Sequence, residues 1–258
     1  FVKVCRLNVI HRQAKESRII TAAHQIIKKQ MPDLRPVENS DCDFYETQGN
    51  EYIKDKIVKI INELILKDIP AQDIQIIVPQ RTTDIGTNEL NNQLRPILNN
   101  KHDYNLAKKY KFIAGDRVMQ YRNNYDLEIF NGDIGLVQEV NENGNLIVNF
   151  DNREIKISAQ DSNDLTLSYA ITIHKSQGSD YPYVIIPLSN SHIYMWDVNL
   201  LYTAITRGKK KVFLVGEKKA FFYDISHFKQ NNKVTTKQTL LKTKLKEENK
   251  EKFAINPF

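Results

Sequence analysis

The run Ile74-Gln75-Ile76-Ile77-Val78, closed by Pro79, limits the fold more than any other stretch of this chain. A strand that is almost wholly apolar has no side to give to water. It belongs in a sheet covered on both faces, as in α/β proteins. The cover is legible on either side of it. Ile19, Ile20, Ala23, Ile26 and Ile27 fall at helical spacing within 17–28, and Ile53, Ile57, Ile60, Ile61, Leu64 and Ile65 repeat the pattern more cleanly. Between these two helices, Pro32, Pro36 and an acidic stretch with Asp41 and Asp43 read as a loop. A further helix follows Pro79, with Leu90, Leu94 and Leu98 along one face, Gly86 and Thr87 at its start, and Thr87 as the expected N-cap.

From about 112 to 165 the texture changes to short β-rich runs punctuated by Gly115-Asp116, Asn131-Gly132-Asp133, Asn143-Gly144 and Asp151-Asn152. This pattern predicts a small antiparallel β-barrel. Asn143-Gly144 is its clearest hairpin signal, because both residues accept positive φ. Alternation then returns, with strands expected over 167–173 and 183–188, a helix over 196–206, and a strand Val212–Val215 ending at Gly216. The expected architecture is therefore α/β: a parallel sheet with helices on both faces, interrupted by a barrel. Its parts are 1–110, an insertion 111–165, a return over 166–228, and a Lys-rich tail 229–258.

With 41% hydrophobic residues among 258, the chain can bury a sizeable core. Its net charge of +6 invites a nucleic-acid reading, but residues 229–252 hold eight Lys against Glu247, Glu248 and Glu251. The basicity is thus mostly a property of the tail, and the remainder must be judged on its motifs. Cys5 and Cys42 have no metal-ligand spacing and read as reduced thiols. Without a run of roughly 20 apolar residues or a charged-then-apolar leader, neither a span nor secretion is expected, and the location expected is cytoplasmic. The start at Phe1, with no initiator Met, reads as a piece of something longer.

Two stretches carry chemistry. In Tyr169-Ala170-Ile171-Thr172-Ile173-His174-Lys175-Ser176-Gln177-Gly178-Ser179-Asp180 an apolar strand ends in a polar loop, the place where α/β sheets put ligands. Thr172, His174, Lys175 and Ser176 offer donors to phosphate oxygens, and Gly178 allows close backbone approach. The same run can equally be a solvated turn. In Asn199-Leu200-Leu201-Tyr202-Thr203-Ala204-Ile205-Thr206-Arg207-Gly208-Lys209-Lys210-Lys211 a helix ends in cations, which the helix dipole alone explains. Arg207 is nevertheless placed to meet an anionic ligand. His102 and His192 read as surface or core residues.

Together, T-x-H-K-S-Q-G-S-D followed by L-L-Y-T-A-I-T-R resembles motifs V and VI of RecD-like superfamily 1 DNA helicases. The resemblance extends backwards through Gly115–Gln120, Arg122–Tyr125 and Phe130–Gly135, similar to the Src-homology-type barrel inserted in that family. It continues through Ile76–Arg81 with Gly86 and Asn88–Asn91, and Ile10–Ala14 with Ser17, Ala23 and His24 looks like motif IV and its helix. Only the tail after about 217 lies outside it. The resemblance implies the second RecA-like domain of a helicase moving 5′ to 3′, with the barrel as its inserted domain.

It also implies roles. Arg12 and Arg207 would be catalytic arginines reaching the γ-phosphate of ATP when the cleft between two RecA-like domains closes. Gln13, Gln177, Gly178, Ser179 and Asp180 would meet the nucleotide, Asp180 by accepting from a ribose hydroxyl where many relatives carry Glu. Thr172, His174, Lys175 and Ser176 would touch a DNA strand, joined by Arg122, Asn123, Asn124, Phe130 and Asn131 of the barrel. For the last group, Asn131-Gly132 as a plain turn and Phe130 as barrel core are the competing readings. The partners implied are single-stranded DNA or a duplex junction and the N-terminal RecA-like domain of the same parent, with no membrane.

No G-x-x-x-x-G-K-[ST] occurs, the sole Gly-Lys being Gly208-Lys209 followed by Lys210, and no Asp is followed directly by Glu. ATP with Mg2+ would therefore be held mainly by the other domain, no metal ligands are assigned here, and the chain alone is expected to hydrolyse no ATP. The alternatives are an RNA helicase of the same superfamily and a non-catalytic nucleic-acid or partner-binding module.

Overall fold

The computed structural model describes residues 17–226. The chain divides into two units, Phe1–Ser226 and His227–Phe258, and all described residues lie in the first. In chain order its elements begin with α1 (Arg18–Ile27), β1 (Cys42–Glu46), α2 (Asn50–Ile65), β2 (Ile74–Val78), α3 (Thr87–Leu98) and α4 (Tyr104–Lys109). Then come β3 (Arg117–Gln120), β4 (Ile134–Val140), β5 (Leu146–Phe150), β6 (Arg153–Ile157) and β7 (Leu165–Leu167). The last group is β8 (Ala170–Thr172), α5 (Ile173–Ser176), β9 (Tyr181–Leu188), α6 (Val198–Ile205), β10 (Gly208–Gly216) and α7 (Lys218–Ser226). No described helix is long and apolar enough to cross a membrane.

Five strands form a parallel sheet in the order β1-β10-β9-β2-β8. Side chains alternate across it. Val184, Ile186, Leu188, Val212 and Leu214 share one core with residues of α1, α6 and α7. Ile74, Ile76, Val78, Ile185, Phe213 and Val215 share the other with α2 and α3. The sheet is thus helix-covered on both faces, and this is why β2 carries almost no polar residue. The other five strands form an antiparallel sheet in the order β6-β5-β4-β3-β7, around its own core of Phe112, Val118, Val137, Val148 and Phe150 among others.

Several local expectations need correction. Residues 41–46 are not all loop: Cys42–Glu46 pairs with Val212–Gly216 as the edge strand of the parallel sheet. The acidic composition hid it. Asp43 is buried but sits 3.1 Å from Arg18 and 2.9 Å from Lys211, so its charge is compensated by distant partners. Gly86, not Thr87, caps α3, and a Cβ there would lie 2.4 Å from the carbonyl oxygen of Arg81. Close backbone approach therefore explains the glycine.

The expected strand over 167–173 is broken: β7 pairs with β3, β8 pairs with β2, and Ser168-Tyr169 crosses between the sheets. Asn143-Gly144 does lie in the hairpin that joins β4 to β5, but not with both residues at positive φ. Only Gly144 has positive φ, and the Asn141 carboxamide oxygen closes a wider loop by accepting from Asn143 N and Asn145 N. The tight turn lies instead at Asp151-Asn152, with φ of 47° and 65° between β5 and β6.

Candidate functional site

Two buried polar clusters fix the sheets to one another. Asp116 accepts from Arg95 at 2.9 and 2.5 Å, from Asn99 at 3.0 Å and from the Tyr169 hydroxyl at 3.2 Å. The Arg117 guanidinium donates to the carbonyls of Gln72 and Ile74 and to that of Ser168, and it also bonds Gln75 Oε1. Burial pushes the Arg117 pKa down, yet the surrounding carbonyls give the buried cation its partners. Asn91 adds three bonds, giving two to the carbonyls of Leu167 and Ala170 and taking one from Ala170 N. The antiparallel sheet is therefore bolted where the chain crosses into β8.

Residues 173–180 then run from the C-terminal end of β8 to the N-terminal end of β9, because Val78 pairs with Thr172 while Ile74 pairs with Tyr183. The first half of this crossover is α5, a single helical turn where the sequence suggested a loop, with Thr172 as its N-cap residue. Ser176 is buried and donates to the carbonyl of Ile173 at 2.7 Å, so its hydroxyl serves the turn instead of facing a strand of DNA. His174 is exposed. Lys175 bonds the side-chain oxygen of Asn131 and lies 4.5 Å from the centre of the Tyr121 ring. Arg81, just past β2, stands 4.9 Å from the same ring. Burial lowers the Lys175 pKa; the Tyr121 hydroxyl opposes the shift, while the Arg81 charge adds to it.

The expected residues of the antiparallel sheet lie around this cluster. Asn123 accepts from Asn131 N at 2.9 Å, Asn124 accepts from Leu127 N at 3.1 Å, and Arg122 is exposed, 3.9 Å from Asp164. Phe130 is 46% exposed and meets the 74% exposed Tyr125 edge-on at 6.2 Å, so it is not barrel core. Tyr121 and Arg81 were missed as site residues. Their signal was a Tyr beside Arg122 and a cation just beyond a strand end, neither of which distinguishes itself until folding brings both to Lys175.

The second half of the crossover meets Arg207. Gln177 and Gly178 are exposed, with Gly178 at φ +88° and open space where a Cβ would be. Helix α6 is capped by Asp197, which accepts from Asn199 N and Leu200 N, and it buries Leu201, Ala204 and Ile205. That packing delivers Arg207 to the start of β10 with its side chain 13% exposed. Its Nε donates to the carbonyl of Thr203 at 3.1 Å and its Nη1 to that of Ser179 at 3.0 Å. Asp180 lies 3.6 Å from Arg207 and 3.7 Å from Lys209. Lys209–Lys211 are part of β10, not cations at a helix end, and Lys211 is committed to Asp43. Arg12 and Gln13 lie outside the described residues. Among the described residues no three His, Cys, Asp or Glu side chains are grouped to hold a metal ion.

Residues 167–215 match the UvrD-like helicase C-terminal domain, and residues 90–150 match the ATP-dependent RecD-like DNA helicase SH3 domain. An ATP-dependent RecD2 DNA helicase from Deinococcus radiodurans is 29% identical over 84% of this chain and 29% of its own length. The RecBCD enzyme subunit RecD of Buchnera aphidicola from Acyrthosiphon pisum is 33% identical over 90% of this chain and 41% of its own. The chain thus spans less than half of either relative. A solved structure of Pif1 helicases unwinding forked double-stranded DNA superposes with a TM-score of 0.48 at 20% identity, covering 80% of this chain and 48% of that one.

Proposed function

We propose that this chain, which carries the UvrD-like C-terminal helicase domain and the RecD-like SH3 domain, is the C-terminal motor half of an ATP-dependent 5′ to 3′ DNA helicase. In this reading Arg207 and Arg12 reach a nucleotide held by an N-terminal RecA-like domain, which also carries the phosphate-binding loop and the Mg2+. Charge builds on the γ-phosphate oxygens during transfer, and a rigid guanidinium in a drying cleft stabilises it. Such arginines contribute about 10³–10⁵ in rate. Gln13, Gln177, Gly178 and Ser179 would line the same nucleotide edge. Residues 1–110 and 166–228 would form the RecA-like domain around the insertion 111–165.

Single-stranded DNA would lie over Thr172, His174, Lys175, Arg122, Asn123, Asn124, Phe130 and Asn131. Phosphates taken by Lys175 and Arg122 fix position without reading sequence, as a translocating motor requires, and exposed rings offer bases a stacking surface.

The observation that carries this reading is the crossover 173–180, whose first turn is tied through Lys175 to Asn131 and Tyr121 and whose end is tied to Arg207. A strand pulling on Lys175 and a nucleotide pulling on Arg207 would thus act on one eight-residue segment. Chain entropy argues for its brevity: a short, hydrogen-bonded link transmits displacement where a long loop would absorb it.

The test is Arg207→Ala in the full-length parent. DNA-stimulated ATP hydrolysis is expected to fall by on the order of 10³-fold while single-stranded DNA affinity is largely kept. Unchanged hydrolysis would refute the motor assignment. Competition between matched DNA and RNA oligonucleotides separates the DNA motor from its RNA counterpart, and DNA-stimulated hydrolysis by the 258-residue chain alone would contradict the division of labour.

A further inference from the structure

We propose that Asp180 is a positioning residue for Arg207, holding the guanidinium against the crossover, and this inference rests on the function proposed above. The resemblance assigns Asp180 to a ribose hydroxyl. Its carboxylate faces protein cations instead, with one oxygen 3.6 Å from Arg207 Nη1 and the other 3.7 Å from Lys209 Nζ. The Asp180 side chain is 12% exposed and that of Arg207 13%, so the attraction between them is weakly screened, whereas Lys209 is 58% exposed.

The arrangement has a division of roles. The backbone carbonyl of Thr203 holds Arg207 Nε to α6, and that of Ser179 holds Nη1 to the crossover. Nη2 makes no hydrogen bond to a described residue and is the edge left to present. Two neutral carbonyls do not balance the charge of a guanidinium that has a lysine two residues away. Asp180 does so, and it lies next to Ser179, so charge and hydrogen bond pull Arg207 toward the same segment. With an amide at 180, Arg207 and Lys209 would repel one another and the guanidinium would swing away from the crossover.

The experiment compares Arg207→Ala, Asp180→Asn and Asp180→Glu in the full-length parent at saturating single-stranded DNA. Asp180→Asn is expected to lower kcat by on the order of tenfold, the penalty for a misplaced but present catalytic group. KM for ATP stays within about twofold, and Asp180→Glu recovers most of the loss. The ratio of kcat/KM for ATP to that for 2′-deoxy-ATP is unchanged. A raised KM with that ratio moved toward one means Asp180 holds the sugar, and an unchanged kcat means it holds nothing that matters; either overturns the inference.

If Arg207→Ala is itself without effect, the motor assignment falls instead, so the two failures are distinguishable. A second readout needs no turnover. The Arg207 Nε–H of the 258-residue chain should exchange with solvent more slowly than that of exposed Arg122, and faster once Asp180 is replaced by Asn. Equal exchange in the parent and Asp180→Asn chains also overturns the inference.

Discussion

Asp224 and His192 are two buried titratable groups outside the candidate site, and together they set an expected pH dependence. Asp224, 1% exposed on α7, is pushed up to about 8 by burial, while burial pushes the fully buried His192 down to about 4. Both are therefore neutral in the fold at pH 6. Between about pH 4 and 8 the folded chain keeps a proton on Asp224 that the unfolded chain has lost, so stability falls as pH rises through that window. For His192 the sign reverses. Between about 4 and 6.5 the unfolded chain holds the extra proton, so stability falls as pH drops.

The two slopes oppose one another below pH 6.5, and only that of Asp224 continues above it. Asp224→Asn removes one slope. Its stability advantage over the parent should grow by about 1.4 kcal/mol per pH unit between pH 5 and 8, measured by urea unfolding at three pH values. An advantage that is constant with pH would mean Asp224 titrates normally. Periodicity could mark α7 neighbours as core, but not a carboxylate buried among them, because no local partner announces it.

Patterns of period 2 and 3.6 made the elements legible wherever a face was uniformly apolar, as in α2 and β2, and failed where long-range chemistry overrides local composition. Strand β1 depends on Arg18 and Lys211 to tolerate Asp43, and the break between β7 and β8 depends on Asn91, Gln75 and Arg117, which lie 51 to 94 residues from the atoms they bind there. Arg117 sits in a strand that reads simply as β, yet its guanidinium joins β2 to the crossing at Ser168. Replacing it by Leu fits the apolar surroundings but takes a donor from the carbonyls of Ile74 and Ser168 and leaves Gln75 Oε1 without the guanidinium it bonds. Arg117→Leu should therefore cost about 3 kcal/mol or more, seen as a lower urea midpoint. Arg117→Lys, with one point charge in place of a fork, should recover only part of it. A loss below about 0.5 kcal/mol would mean the sheets are held by apolar packing alone. The candidate site divides the same way: Arg207 and the 177–180 loop were legible together from motif order, whereas Tyr121 and Arg81 required the fold to bring β2, β3 and α5 into one place.

For the molecule as a whole, the surface made by Arg81, Tyr121, Lys175, Arg122, Tyr125 and Phe130 mixes cations with exposed rings, and these two kinds of group would contribute to strand binding in separable ways. A lysine that takes a phosphate releases a counterion. Lys175→Ala should therefore weaken single-stranded DNA binding and reduce the slope of log K against log salt by about 0.7. Rings stack on bases and release few ions. Phe130→Ala should cost about 1–3 kcal/mol at every salt concentration and leave that slope alone. Tyr121→Ala is the informative case, because its ring carries Lys175 on one contact and Arg81 on another. If the ring only orders the two cations, its loss should mimic Lys175→Ala by lowering the slope; if it also receives a base, affinity should fall further than in Lys175→Ala at high salt, where the ionic part is already screened. Titration of a fluorescent oligothymidylate at four salt concentrations separates these outcomes. Binding that is unchanged in all three variants, with its full salt slope retained, would move the nucleic-acid contact away from this surface and leave the crossover 173–180 with nothing to transmit.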